Sequence, residues 1–462
     1  MPPSSQLSPS SSPEKPSEFR TLLGLSAPIA IAQLGMMTMG VVDTMMVARI
    51  GVAELAAVAV ATTWAWSSSS LFQGIVQGMD PLVSQAHGAG DGEAAALALQ
   101  RGLLIATVTS IPLMALWVMT GPALLWLGQD PAVSELAQSY MLARLPSAIG
   151  FNLFVALRQY LAGRTIMRPA MWVMLVGNLF NLVLNWALIF GHLGLPALGL
   201  QGAGLATGIT NVCLPIALWI WCRYFGLLEG AWRRWDRLSV DAGGLLRYLK
   251  LGLPVGLQLA LEANAFTVAM IMVGWIGVFE LAAHQVVINM ASFTFMLPLG
   301  VSIGASVRIG NLIGARDGDR LRRSCRTAFA MGGGIMALGA LAFVVFRNVL
   351  PLLYLEDVGV VALAATLLPI AGAFQIADGV QVVGGGLMRG MGRPQAGAVV
   401  NLLGFYVVGL PLAWTLAFPV GLGLIGIWWG LAAGLGGVAI MLYVWVLRTA
   451  TRPLDELTVN AS

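Results

Sequence analysis

The chain has 462 residues, of which only 10% are charged and 58% are hydrophobic. A soluble protein of this length would expose more surface than so few charged side chains could solvate, so the composition excludes a soluble protein. The formal net charge of +4 is therefore informative through its distribution along the chain, and not as a sign of a nucleic-acid partner. Cys213, Cys222 and Cys325 fit no disulfide or metal-binding spacing, which predicts unreactive thiols.

Residues 1–17 are rich in Ser and Pro and predict a disordered tail. They lack the basic, apolar and small-residue pattern of a cleaved signal peptide. The rest of the chain contains apolar runs of about 20 residues, the length that a helix needs to cross a hydrocarbon layer of ~30 Å. Breaks at charged residues, Pro and Gly divide these runs into twelve predicted transmembrane helices: 22–46, 54–82, 97–120, 134–161, 169–191, 200–222, 248–275, 280–306, 326–346, 358–386, 396–418 and 423–447.

The longest polar connection divides the twelve predicted spans into six and six. The prediction is an all-α integral membrane protein with two pseudo-symmetric six-helix bundles, an N-terminal lobe at 18–223 and a C-terminal lobe at 248–450. A linker at 224–247 joins the lobes, and a tail at 451–462 follows them. The Trp and Arg residues of the linker indicate either an amphipathic stretch on the membrane surface or a plain linker with interface anchors.

The positions of Arg and Lys predict the orientation of these spans. In the twelve-span arrangement nearly all of them lie on the side that carries both termini. The opposite side keeps only Arg49 and Arg347, with Arg144 inside the start of the fourth span. The positive-inside rule then places both termini in the cytosol.

The two halves of the chain are similar in sequence. The segment from Ile50 to Ala57 matches the segment from Ile276 to Ala283 at seven of eight positions, at an offset of 226 residues. The same offset pairs Pro28 with Pro254, which indicates an internal duplication. Because each repeat contains an even number of spans, both halves share one orientation and are related by an axis along the membrane normal. Transporters built in this way bind substrate between the repeats.

Two pairs of repeated glycines have the spacing that permits close contact between helices: Gly74 with Gly78, and Gly300 with Gly304. These glycines predict packing rather than chemistry.

Four acidic residues lie within predicted spans: Asp43, Asp80, Glu262 and Asp378. A charge at the centre of a bilayer costs at least ~2.5–3.5 kcal/mol, so such residues usually face a cavity and are functional. Asp80 is the weakest candidate, because it lies close to a predicted cytosolic turn and could reach water. Glu262 and Asp378 have similar predicted depths and could share one cavity, whereas Asp43 lies in the outer part of the first half.

The repeat does not copy Asp43, Glu262 or Asp378, which indicates that the two halves are specialised. The position equivalent to Asp378 is Asn152, which we include among the candidate polar residues of the cavity. An alternative role for the acids is to hold helices together through hydrogen bonds.

Asn178, Asn181 and Asn185 follow one another in the fifth predicted span. Asn181 and Asn185 are four residues apart and share a helix face. They could orient a carboxylate, provide oxygens for a hard cation, or form hydrogen bonds between helices. The sequence contains no phosphate-binding loop and no cluster of Cys or His ligands, so we expect neither catalytic residues nor a cofactor.

The spans, the repeat and the acids together resemble the multidrug and toxic compound extrusion (MATE) family, specifically its bacterial NorM branch. The resemblance covers about 20–450. It is carried by MGVVDTMMVARIG around Asp43, LPVGLQLALEANAF around Glu262 and FQIADGVQVVGGGLMRGMGRP around Asp378.

The resemblance implies a V-shaped pair of bundles that exports cationic, often aromatic drugs in exchange for Na⁺ or H⁺. It implies cation-coupling roles for Asp43, Glu262 and Asp378, and places Asn181 and Asn185 in the cavity of the first half. Some relatives that bind Na⁺ have a tyrosine where this chain has Phe374. A Na⁺ site at Glu262 and Asp378 and proton coupling therefore both stay open.

We accordingly expect an antiporter of the bacterial inner membrane that moves small organic cations and is not an enzyme. We expect it to be a monomer in contact with membrane lipid, without a nucleic-acid partner. The alternative is an exporter of a lipid intermediate or metabolite with related architecture. Such a protein should line its cavity with basic residues, whereas the charges within the predicted spans here are acidic.

Overall fold

A computed structural model of the chain describes residues 17–228, 234–354 and 357–459. Within these ranges the regular secondary structure is entirely helical. All but the last residue of the predicted disordered tail at 1–17 lies outside the described residues, as do positions 229–233 of the predicted linker.

The described part of the N-terminal half contains nine helices. They are α1 (Glu18–Val47), α2 (Val52–Gln77), α3 (Met79–Gly88), α4 (Gly92–Val118), α5 (Thr120–Trp126), α6 (Pro131–Arg144), α7 (Ser147–Gly163), α8 (Arg168–Phe190) and α9 (Gly199–Tyr224).

The described part of the C-terminal half contains seven α-helices and one stretch of wider π-helical turns. They are α10 (Ala242–Ile276), α11 (Val278–Gly314), α12 (Gly318–Val345), α13 (Val358–Gly390), α14 (Gln395–Asn401), the π-helical stretch (Leu402–Gly409), α15 (Leu410–Ala417) and α16 (Gly423–Thr449).

By length and composition, ten helical segments of the described chain can cross a membrane, counting 395–417 as one segment. The pair α6 and α7, which bends by 50°, is an eleventh. The remaining predicted span corresponds to α2, whose hydropathy is lowered by the run Ser67–Ser70. Its equivalent in the other half, α11, is among the ten. Each of the twelve predicted spans therefore corresponds to a helical segment.

Aspartates begin equivalent helices in the two halves. The side chain of Asp91 accepts a hydrogen bond of 2.8 Å from the amide of Ala94 and caps α4. Asp317 caps α12 in the same way through Arg320. Such caps satisfy amides that lack a partner within the helix. Asp241 caps α10, so this helix begins at Ala242 and not at the predicted residue 248.

The helix boundaries show the duplication directly. The first residue of α11 follows that of α2 by 226 positions, and the first residue of α12 follows that of α4 by the same number. The bent pair α6 and α7 corresponds to the single helix α13. The helix α8 corresponds to α14, the π-helical stretch and α15, so the halves differ most where the π-helical turns occur.

Both ends of the described chain lie on one side of the molecule, which we call the termini side. Glu18, at the start of α1, lies 2.7 Å from Arg308 and 3.0 Å from Arg320. Asp455, near the other end, lies 3.1 Å from Arg316. The opposite side is called the far side.

The halves exchange their first helices as packing partners, because α1 packs along α11 and α10 packs along α2. At the second contact, Gly74 and Gly78 lie against Gly256 and Gly252. The equivalent contact places Gly300 and Gly304 against Ala30 and Ser26 of α1. The predicted role of these glycines in close helix packing is confirmed.

The two halves meet on the termini side and part on the far side. The buried core around Trp117 contains residues of the N-terminal half alone, and the core around Trp428 contains residues of the C-terminal half alone. Three other cores are shared: α10 contributes Tyr248 to one, α1 contributes Leu22 to the second, and the third contains residues of α1, α7 and α11. The halves therefore form a V-shaped cleft that opens toward the far side.

Hydrogen bonds between the halves follow the same division. In the described residues, the side-chain hydrogen bond between the halves that lies nearest the far side joins Ser67 Oγ to Asn264 Oδ1, at 2.7 Å. The other side-chain hydrogen bonds between the halves lie closer to the termini side. Asn264 is two residues after Glu262 on α10. The floor of the cleft is therefore at about the depth of Glu262.

The predicted C-terminal tail is partly docked on the lobes. Leu457 is buried, and its carbonyl accepts a hydrogen bond of 3.1 Å from Gln85 Nε2 of α3. The amide of Val459 donates to Gln85 Oε1 at 2.6 Å. The same Nε2 donates to the carbonyl of Gly390 at 3.1 Å, so this segment and Gln85 join the two halves on the termini side.

Candidate functional site

Asp43 lies on α1 and is only 8% exposed. Its Oδ1 accepts a short hydrogen bond from Asn185 Nδ2 of α8, and its Oδ2 accepts one of 3.2 Å from Thr207 Oγ1 of α9. Three helices of the N-terminal half therefore converge on one carboxylate. A buried carboxylate needs such partners, because an isolated one loses its hydration without compensation.

The network continues from Asn185 along α8. Asn185 Nδ2 lies 3.0 Å from Asn181 Oδ1, and Asn181 Nδ2 lies 3.5 Å from Thr210 Oγ1. The four-residue spacing places both amides on one helix face, and that face is buried. Asn185 thus contacts Asp43 directly, and Asn181 contacts it through Asn185.

A positive charge is also part of this region. Arg144 Nη1 donates to the hydroxyl of Tyr140 at 3.4 Å, and the guanidinium lies 5.7 Å from the centre of the Trp117 ring. The charges of Arg144 and Asp43 are close enough to interact.

The other two asparagines do not contact Asp43. Asn178 Nδ2 donates to the carbonyl of Gly35 at 2.7 Å and so connects α8 to α1. Asn152 Nδ2 donates to Ser110 Oγ at 3.0 Å within the N-terminal half. Both bonds join helices, which is the alternative role expected for such polar side chains within spans.

Glu262 lies on α10 and receives two hydrogen bonds on one oxygen. Gln381 Nε2 of α13 donates to its Oε2 at 2.9 Å, and Asn401 Nδ2 of α14 donates at 3.2 Å. The π-helical turns begin at the residue after Asn401. Stretches of this kind occur often at functional sites.

Asp378 lies near Glu262 and is 6% exposed. It lies one turn before Gln381 on α13, and Gln381 bonds to Glu262, so both acids border on the same part of the C-terminal half. Phe374, one turn earlier on α13, is buried among aromatic rings. Its ring centre lies 6.0 Å from that of Phe266 and 5.9 Å from that of Trp428, in edge-to-face contacts.

The structure keeps the predicted site residues in two separate clusters. Asp43 with its partners belongs to the N-terminal half, and Glu262 with Asp378 belongs to the C-terminal half. Within the described residues, no three His, Cys, Asp or Glu side chains come together as a metal-binding group. Any Na⁺ at Glu262 and Asp378 would therefore need additional oxygens from amide or backbone groups.

Thr207, Gln381 and Asn401 are partners of the acids that were not predicted from the sequence. One signal was available for Gln381, because Gln375, Asp378 and Gln381 follow one another at intervals of three on a predicted apolar helix. Thr207 and Asn401 come from distant parts of the chain, and only the packing of α9 and α14 brings them to the acids.

Two expectations about charge were wrong. Asp80 does not reach water, since it is 2% exposed and accepts a hydrogen bond of 2.5 Å from Gln159 Nε2. The charges within the spans are not all acidic, because Arg389 is 4% exposed inside α13 and the Nε of Arg158 is buried in α7.

Two helical halves of common ancestry bury unlike carboxylate clusters on either side of a cleft, and this combination defines a membrane transporter. A family model described as MatE matches the chain twice, at residues 28–187 and at 254–415. The chain belongs to the MatE family, whose members are transporters and not enzymes. The two matches fall in the two halves, at the offset that the repeat showed.

Several proteins are similar over nearly the whole length. The multidrug resistance protein NorM of Aliivibrio fischeri is 32% identical over 459 residues, covering 96% of this chain and 98% of that protein. The probable multidrug resistance protein NorM of Rhodopseudomonas palustris is 35% identical over 457 residues, covering 97% and 96%.

A solved structure of the eukaryotic MATE transporter AtDTX14 has a TM-score of 0.87 and 23% identity, covering 95% of this chain and 99% of that one. At this level of identity the likeness supports the fold alone. The predicted fold of two six-helix bundles is confirmed.

Proposed function

We propose that the chain exports lipophilic organic cations across the bacterial cytoplasmic membrane in exchange for H⁺, Na⁺ or both. The termini side then faces the cytosol, and the cleft faces the outside. The names of the NorM relatives support multidrug export, and the arginine-rich termini side supports the orientation.

One observation carries the proposal: each half holds a buried carboxylate cluster in a scaffold whose halves separate on one side only. A carboxylate in a low-dielectric site attracts a cation more strongly than one in water. Asp43 is held by neutral donors, as is Glu262, so neither forms a close ion pair that would occupy it.

Exchange follows if drug and ion compete for the same acids. An ionised carboxylate binds the organic cation, and a proton or Na⁺ that enters from the far side neutralises the carboxylate and releases the drug. The ion gradient drives net export, provided that drug and ion have different affinities for the two facing states. Asp43 is assigned to one cluster, and Glu262 with Asp378 to the other.

The coupling ion is tested by efflux of a fluorescent cation from proteoliposomes with the Na⁺ gradient and the pH gradient imposed separately. Movement under only one gradient identifies that ion. Movement under neither gradient contradicts the antiport proposal. We propose that a Na⁺ site, if the Na⁺ gradient drives export, lies between Glu262 and Asp378, where Phe374 contributes no oxygen.

The acids are tested in the same assay with Asp43→Asn, Glu262→Gln and Asp378→Asn. At least one variant should lose gradient-driven export, since each removes one charge and little volume. Glu54→Gln is the matched control, because Glu54 lies in the first turn of α2 at its far-side end and is not a hydrogen-bond partner of Asp43 or Glu262. Export by all three site variants at the control rate would refute the assignment of these acids.

A further inference from the structure

A buried pair of opposite charges joins the two halves on the termini side. Arg389 Nε of α13 lies 4.0 Å from Asp80 Oδ2 of α3, and the two side chains are 4% and 2% exposed. We propose that Asp80 and Arg389 act as an interlobe lock, which holds the termini side closed and must separate in every transport cycle. This inference rests on the proposed alternating exchange and adds two residues to it.

The surroundings of the pair divide cleanly between the two lobes. Asp80 is held within its own lobe by Gln159, at 2.5 Å, and its charge also interacts with that of Arg158. Arg389 is held within its own lobe by Ser302, at 3.3 Å. Across the lobes Asp80 meets Arg389 and also lies close to Ser306, so separation of the lobes leaves Asp80 with Gln159 and Arg389 with Ser302.

The contact is loose for an ion pair. In the described residues, neither Asp80 Oδ2 nor Arg389 Nε has a hydrogen-bond partner. A pair at 4.0 Å without a hydrogen bond stabilises the closed state less than a close bidentate pair would. A lock that opens in each cycle requires a moderate difference in free energy between the closed and open states, because a tight pair would trap the protein in the closed state.

The internal repeat does not contain a second copy of the Asp80 and Arg389 pair. The residue equivalent to Asp80 is Ser306, which lies close to Asp80 across the interface. The residue equivalent to Arg389 is Arg164, at the offset that also aligns Arg168 with Arg393. Arg164 contacts the hydroxyl of Tyr160 at 3.1 Å in its own half and has no carboxylate across the interface in the described structure.

Arg389 also connects the lock to the candidate ion site. Arg389 lies about two turns after Gln381 on α13, and Gln381 Nε2 donates to Glu262 Oε2 at 2.9 Å. One helix therefore carries both the interlobe contact and a ligand of Glu262. Arg389 is a positioning residue for the transport cycle.

The lock is tested by the distance between the lobes and not by transport alone. Spin labels at Ala89 and Ala315, which are repeat-equivalent and exposed, report the termini side. Labels at Val52 and Val278, each 86% exposed, report the far side. The background carries Cys213→Ser, because Cys213 is the partly accessible cysteine while Cys222 and Cys325 are buried.

Asp80→Asn and Arg389→Gln each remove the attraction between the lobes and leave the remaining charge without its interlobe partner in the closed interface, whereas water hydrates that charge when the interface opens. We expect each to shift the ratio of termini-open to termini-closed protein at least ~10-fold toward open. In the double variant neither Asp80 nor Arg389 is left as a charge without its interlobe partner, so the ratio should return toward the wild-type value. Arg389→Lys keeps the charge and should shift the ratio less than Arg389→Gln.

Arg164→Gln is the matched control, since it removes the repeat-equivalent arginine without touching the interlobe contact. It should leave both label distances unchanged. Equal distances in wild type, Asp80→Asn and Arg389→Gln would overturn the lock, and so would single and double variants whose effects simply add. If wild type moves no dye while the single variants still shift the lobes, the proposed function fails and the lock stands.

Discussion

The contact between α2 and α10 predicts the effect of adding one methyl group. At Gly74, a Cβ atom would overlap the backbone of Gly256 and lie 2.8 Å from the carbonyl carbon of Val255. These neighbours are backbone atoms, which cannot move aside as a side chain can. The clash lies between the two halves, so separation of the halves on the termini side relieves it without unfolding.

The magnitude follows from two known effects of Gly→Ala substitution. Overpacking typically costs ~1–3 kcal/mol, and the better helix propensity of Ala contributes about 1 kcal/mol. The propensity term is the same in both facing states, because Gly74 stays helical in each. The clash alone therefore changes the equilibrium between the states, and ~1–3 kcal/mol corresponds to a shift of ~5–150-fold toward the termini-open state.

The assay is the distance between labels at Ala89 and Ala315, measured in Gly74→Ala and in Gly24→Ala. Gly24 is the matched control, because a Cβ atom there meets nothing within 4 Å. We expect a longer distance in Gly74→Ala alone, with a normal elution profile in size-exclusion chromatography. If the two variants give the same distance distribution, the close contact at Gly74 does not hold the halves together.

Two further predictions concern the Asp43 cluster and the docked tail. Asn185→Leu removes the amide that donates to Asp43. Because a hydrogen bond to a charged group contributes ~1.5–3 kcal/mol, we expect an organic cation to bind ~10–100-fold more weakly in fluorescence titration. Asn178→Leu, which breaks a bond to α1 and leaves Asp43 untouched, should change binding less than twofold, and equal losses in both would refute the assignment. Removing the residues after Arg452 deletes the segment bound by Gln85, so the termini-side label distance should broaden toward longer values; an unchanged distribution would show that this segment does not restrain the lobes.

The sequence predicted the scaffold well, because the features that specify it are local or periodic. A bilayer requires long apolar runs, so every predicted span could be located before the structure was known. The internal repeat predicted how the two halves are related, and the glycine pairs predicted where helices of the two halves are in close contact. The beginning of α10 was missed by six residues, since Asp241 and the glycines after it suggested a loop while the side chain caps a helix.

The site was predicted only in part, because burial depends on contacts that are remote in the chain. Asp43, Glu262 and Asp378 stood out through their charge alone. Asp80 looked solvent-accessible, since its distance along the chain from a predicted turn is short. It is buried because α3 packs against α11 of the other half and against α4 and α7 of its own, and no sequence periodicity reports partners that are remote in the chain, such as Arg389.

The lock and the repeat are connected by geometry at the axis between the halves. Near such an axis, equivalent residues approach one another, as Asp80 and Ser306 do. A Cβ atom at Gly310 would likewise overlap the side chain of its own equivalent, Ser84. Had both copies kept an aspartate at the position of Asp80, two carboxylates would face each other in a buried interface and repel. A duplicated scaffold can therefore carry a charge lock at its axis only if its halves diverge there, and the remaining acid then pairs with Arg389 from the other half.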